Sequence, residues 1–78
     1  MKHSSYFQYR RKKDDRSWIK DEWIEYVYFH PTAEVLQEDG RIRRWAPIPE
    51  ANNRYLRVVI LEDGETIHNA FFDRSFRK

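Results

Sequence analysis

Four polar side chains of the kind that cleave phosphodiesters fall within one stretch, Thr66-Ile67-His68-Asn69-Ala70-Phe71-Phe72-Asp73-Arg74-Ser75-Phe76. His68 has the chemistry of a general acid–base, since imidazole titrates near neutral pH and neighbouring arginines lower its pKa. Arg57 would join it by holding the negative charge that builds on a phosphate under attack. These two are the catalytic candidates. Arg43, Arg44, Trp45 and Tyr55 are the nucleic-acid-binding candidates, guanidinium groups for phosphate and flat rings for bases. Each also has a structural use. A strand histidine often holds one hydrogen bond, the arginines can pair with Glu22 or Glu25, Asn69 can sit in the core, and Asp73 with Arg74 can close a sheet end.

The chain that must position them has 78 residues, no cysteine, two glycines and thirteen aromatic residues. One domain of this size has a small core. Disulfides and thiolate metal sites are excluded. The acids and the three histidines (His3, His30, His68) show no metal-ligand spacing, and both glycines fall in turns, so no Gly-rich phosphate loop is available. We expect no cofactor. No apolar run approaches the ~20 residues of a membrane span, and the N-terminus lacks the apolar segment of a signal peptide. A soluble, cytoplasmic protein without a membrane partner is expected. The net charge of +2 is unevenly spread: residues 1–20 carry +5, residues 21–40 carry −6 and residues 41–78 carry +3. Such a chain can offer a basic face to nucleic acid or to an acidic protein.

Two Asp-Gly pairs, at 39–40 and 63–64, lie between strand-like runs and mark hairpins. Together with the loop residues of Pro49 to Asn53 they predict a four-stranded antiparallel meander within 33–73, with strands near 33–38, 41–48, 54–62 and 65–73. Ahead of it, Ile19, Trp23, Tyr26 and Val27 share one helical face. The pattern predicts a helix over 16–30, capped by Asp15 or Ser17 and stopped by Pro31. Residues 1–15 read as a basic arm, in which 6–11 are either a short strand or an ordered segment. The fold class is α+β, one amphipathic helix packed on a four-stranded antiparallel meander.

Two-residue turns would set the register. Ile60 then faces Ile67, Val59 faces His68, Val58 faces Asn69 and Arg57 faces Ala70. Partners share a face, so Leu56, Val58, Ile60, Ile67, Asn69 and Phe71 go to the core. Tyr55, Arg57, Val59, His68, Ala70 and Phe72 go to the other side. In the first hairpin Val35, Ile42, Arg44, Ala46 and Ile48 fall on the core side, where Arg44 fits poorly, and Leu36, Arg41, Arg43 and Trp45 fall opposite. The second face would gather Arg43, Trp45, Tyr55, Arg57, His68 and Phe72.

The segments DRSWIKDEWIEYVYFHP, DGRIRRWAPIPE and RYLRVVILEDGETIHNAFFDRSF, covering most of residues 16–76, resemble a group of small bacterial proteins. These share a helix ending in proline, a hairpin, and then an LRVV…DG.TI..AFFDR hairpin. The group is similar in layout to the RelE, ParE and BrnT-like toxins of toxin–antitoxin pairs, small basic α+β proteins of which several cleave mRNA at the ribosome. The resemblance implies an RNA site lined by strand arginines and a polar strand residue, here Arg43, Arg44, Arg57 and His68. It implies an antitoxin as partner chain and RNA or the ribosome as target. RelE-type proteins usually carry a longer helical hairpin before the sheet, where this sequence shows one clear helix. Two function classes follow: a ribonuclease toxin in which His68 assists 2′-hydroxyl attack, and a non-catalytic protein- or nucleic-acid-binding module, with a homodimer as one form of it.

Overall fold

The structure, a computed structural model, describes residues 2–13 and 18–76. It is α+β, with two helices and a five-stranded mixed sheet. In chain order the elements are β1 (Lys2–His3), α1 (Ser5–Lys13), α2 (Asp21–Phe29), β2 (Ala33–Leu36), β3 (Ile42–Ile48), a 3₁₀ turn (Pro49–Ala51), β4 (Arg54–Ile60) and β5 (Thr66–Phe72). The strands lie in the order β1-β5-β4-β3-β2. The expected meander, β2 to β5, is present. To it is added β1, which pairs in parallel with β5 through Lys2–Thr66 and His3–Ile67.

The N-terminal arm is thus corrected to a strand and a helix. Ser4 sets the helix start: its Oγ accepts the Phe7 N–H at 3.1 Å, the bond an N-cap serine makes to an otherwise unsatisfied donor. Phe7, 1% exposed, is the α1 side chain in the core. The helix before the sheet is shorter than 16–30. It begins after Lys20, which is extended and makes no side-chain cap. The expected caps Asp15 and Ser17 lie outside the described residues. Asp21 and Glu22 in its first turn complement the positive end of the helix dipole. At the other end His30, ahead of Pro31, donates its N–H to the Tyr26 carbonyl at 2.8 Å. The buried stripe is Trp23, Ile24 and Val27. Tyr26 faces solvent, and Ile19 is buried ahead of the helix rather than on it.

Both hairpin loops are longer than two residues, because a type I′ turn needs positive φ at both central positions. Among the described residues, positive φ occurs at Gly40, Gly64, Asn52 and Asn53, not at Asp39 or Asp63. In the first loop the Gln37 N–H bonds the Arg41 carbonyl across a three-residue turn. This moves the register by one. Val35 faces Arg43, Glu34 faces Arg44 and Leu36 faces Ile42. In the second loop Asp63 folds back onto the backbone N–H groups of Glu65 and Thr66 and the Thr66 hydroxyl. Ile60 faces Ile67 as expected, but His68 is then an extra residue, and Val59 faces Asn69, Val58 faces Ala70 and Arg57 faces Phe71. A one-residue slip reverses the faces. Ala70 and Phe72 therefore join the core side, while Asn69 and Phe71 leave it.

Both helices pack on one sheet face, α1 over β5 and α2 over β3 and β4. The core between the layers holds Phe7, Ile24, Val27, Ile48, Leu56, Val58, Ile60 and Ile67, all at 2% exposure or less. Because Phe7 fills this core, Phe7→Ala is expected to cost about 3–5 kcal/mol in urea unfolding. A change under about 0.5 kcal/mol, as for an ordinary surface position, would mean that α1 does not hold the fold together.

Candidate nucleic-acid interface

The sheet face away from the helices carries Arg43 and Trp45 from β3, Tyr55, Arg57 and Val59 from β4, and Asn69 and Phe71 from β5, with Trp45 directly opposite Arg57. The segment after β5 folds onto this face. Asp73 is its anchor. One carboxylate oxygen accepts the Trp45 indole N–H at 3.0 Å and two N–H groups of Arg57 at 3.0 and 2.7 Å. The other accepts the Ser75 N–H and hydroxyl. Burial raises the Asp73 pKa, but the bonds from Ser75, Trp45 and Arg57 outweigh it and hold the carboxyl well below the usual carboxylate range. Phe76 then stacks on Trp45 with ring centroids 4.8 Å apart and leans on Tyr55 at 4.9 Å. The Arg57 guanidinium lies over the Trp45 and Phe71 rings.

The candidate residues therefore separate into groups. Trp45, Tyr55 and Arg57 are brought together, but Trp45 is 5% exposed beneath Phe76 and Arg57 is engaged by Asp73. Arg43 shares their face, opposite Val59. Arg44 lies on the other, helix-covered face. Its misfit there is resolved by Glu34, 2.5 Å from Nε, and by the Tyr28 carbonyl, which accepts a bond of 2.8 Å near the end of α2. An arginine at this position satisfies a carbonyl that the last helical turn leaves free.

His68 stands apart at the β1 edge. Its ring stacks on Tyr6 at 4.8 Å, and Nδ1 lies 3.3 Å from the Ser4 Oγ. That hydroxyl already accepts the Phe7 N–H, which suits a neutral imidazole taking the serine proton. Burial, and then the charge of Arg41, lower the His68 pKa against the opposing charge of Glu62. No contact joins His68 to Arg57, Arg43 or Arg44 among the described residues, and none of these contains a group of His, Cys, Asp and Glu placed to hold a metal ion.

Two arginines outside the sequence candidates complete the basic surface. Arg54 and Arg74 line a depression of about 180 Å³ at the end of β4 and β5, together with Tyr55, Phe72, Asp73 and Phe76. Arg54 lies over the Phe72 and Trp18 rings, which are themselves stacked 5.2 Å apart. Among the described residues neither Arg43 nor Arg74 has a carboxylate partner. The signal for Arg54 was its place directly after the Asn52-Asn53 turn, which puts it at the mouth of β4. No protein-family model, no curated protein and no solved structure matches this chain.

The Asp73 network has a pH signature. A carboxyl whose folded pKa is depressed contributes stability above its unfolded value and loses it as pH falls through the folded value. Stability is therefore expected to drop as pH falls below the ordinary 3.8 of an aspartate. Asp73→Asn is expected to lower stability at pH 7 by roughly 1.5–3 kcal/mol, the scale of bonds to a charged group, and to flatten the acid limb. Chemical denaturation at pH 7 and pH 3 measures both, and an unchanged pH dependence in the variant would remove Asp73 from this role.

Proposed function

We propose that the chain is a small RNA-binding protein of the RelE/BrnT-like toxin type, and that it holds single-stranded RNA at the end of β4 and β5. The observation that carries this reading is the convergence of Arg54 and Arg74 on the half-buried rings of Tyr55, Phe72 and Phe76. Guanidinium groups there would take phosphates, and a base stacked on an open ring contributes about 1–3 kcal/mol. Arg43, without a carboxylate partner, extends the basic track along β3. The layout supports the toxin-type reading, since two helices rather than one precede the meander. Binding is favoured over cleavage, because His68 is held by Ser4 and Tyr6 while Arg57 is held by Asp73. In a toxin–antitoxin pair the antitoxin would be a second, separate partner.

Fluorescence anisotropy with a labelled single-stranded RNA of mixed sequence tests this. Binding is expected to weaken with salt, and Arg54→Ala with Arg74→Ala should reduce affinity at least tenfold. The slope of log K against log salt should fall by about 0.7 for each phosphate contact removed. His68→Ala should bind as well as the parent. Induced expression is expected to arrest growth, and the double arginine variant to relieve it. RNA binding indifferent to both arginines would sink the proposed site, and harmless expression would sink the toxin reading.

A further inference from the structure

A sheet in solution must protect its edges, because an edge strand presents unpaired N–H and C=O groups to any other extended chain. Here one edge is β1, only two residues long. The other is β2, which among the described residues has β3 on one side and no strand on the other. β2 is short but has neither proline nor lysine in Ala33–Leu36, and its one charge, the half-exposed Glu34, is paired with Arg44 at 2.5 Å. Val35 and Leu36 are 49% and 72% exposed, and Phe29, which closes α2 just before the turn into β2, is 60% exposed. The edge is thus apolar on both sheet faces, Leu36 on the helix side and Val35 on the other.

The segment that holds β2 is acidic: residues 21–40 carry six carboxylates and no lysine or arginine, of which Asp21, Glu34 and Asp39 pair with Arg11, Arg44 and Arg41. Glu38 and Asp39 line a depression of about 520 Å³ with Val35, Leu36, Gln37 and Arg43. Glu25 and Glu38 have no ion-pair partner among the described residues. A second copy pairing edge to edge would bring two such acidic segments together. A basic strand would not meet that repulsion.

We propose that β2 is a docking edge for an extended segment of a partner protein with alternating apolar and basic side chains, which adds as a sixth strand. Backbone bonds to β2 would supply affinity, and alternate side chains would supply specificity. Side chains of the added strand alternate between the two faces, so its apolar ones would cover Leu36 with Phe29 on the helix side and its basic ones would meet Glu38 and Asp39 beside Val35 on the other. This site is separate from the arginine depression at the end of β4 and β5 and does not depend on RNA binding there.

The probe is a capped six-residue peptide of alternating lysine and valine, titrated into the isotopically labelled protein. Saturable shifts of the amides of residues 33–37 are expected. A glutamate–valine peptide should bind at least tenfold more weakly. Leu36→Lys and Glu38→Lys, both at exposed positions, should each weaken the lysine peptide at least fivefold with the remaining spectrum unchanged. Equal affinity for a lysine–glycine peptide would overturn the proposal by showing charge attraction alone. Shifts confined to other elements, or none, would also overturn it. So would a concentration-dependent dimer in sedimentation that Leu36→Lys abolishes, because the occupant would then be a second copy.

Discussion

Between Ile67 and Asn69 the last strand holds one residue more than its neighbour, and the side chains from Asn69 onward face opposite to the parity of a regular ladder. Phe72 can therefore meet Trp23 and Trp18 beneath the helices, and the next residue, Asp73, emerges on the other face beside Arg57 and Trp45. With a regular ladder the aspartate would point toward the helix layer and the outer face would lose its cover. The bulge also frees His68 from the ladder, so that its ring can close against Ser4 and Tyr6. A single insertion thus sets the core, the outer cover and the anchorage of the N-terminal segment.

Stability in a chain this short needs more than the layer of aliphatic side chains between helices and sheet. Here arginine and aromatic side chains supply much of the rest. Arg57 lies over Trp45 and Phe71, Arg54 over Trp18 and Phe72, Arg44 over Tyr28 and Arg11 over Phe7. A guanidinium stacks on a ring while its N–H groups still reach a carboxylate or carbonyl, so one side chain both covers and ties. Tyr28 adds a further tie, since its hydroxyl donates to the Gly64 carbonyl at 2.5 Å and joins the end of α2 to the last hairpin. Arginines that look available for RNA in the sequence are therefore committed to the fold at 44 and 57.

The meander was legible because Asp-Gly, Pro and Asn punctuate it, and α2 because Pro31 ends a clear apolar stripe. The helix α1 was hidden. Among the described side chains of α1 only Phe7 is fully buried, so no stripe announces it, and the Ser4-Ser5 pair was its sole cue. Turn geometry was hidden for another reason. Asp-Gly fits a two-residue turn, but it equally fits a longer loop in which only the glycine takes positive φ and the aspartate bonds the backbone. The bulge left a trace in the residues: His68 and Asn69 are two polar neighbours followed by three apolar ones, a run that no strict alternation can satisfy. Site residues followed the register. Phe72 crossed to the helix side, where Arg44 was already expected; Arg54, at a strand end where alternation says little, was missed, and Arg74 was read as the partner of Asp73, which pairs with Arg57 instead.

The pairing of β1 with β5 carries a consequence for synthesis. Lys2 donates its N–H to the Glu65 carbonyl, and Ser4 donates to that of Ile67. β1 therefore has no docking site until about sixty more residues have followed it. Short helices are marginal on their own in water, and contacts this distant in sequence are slow to form. Neither β1 nor α1 can dock on the sheet until β5 has been made.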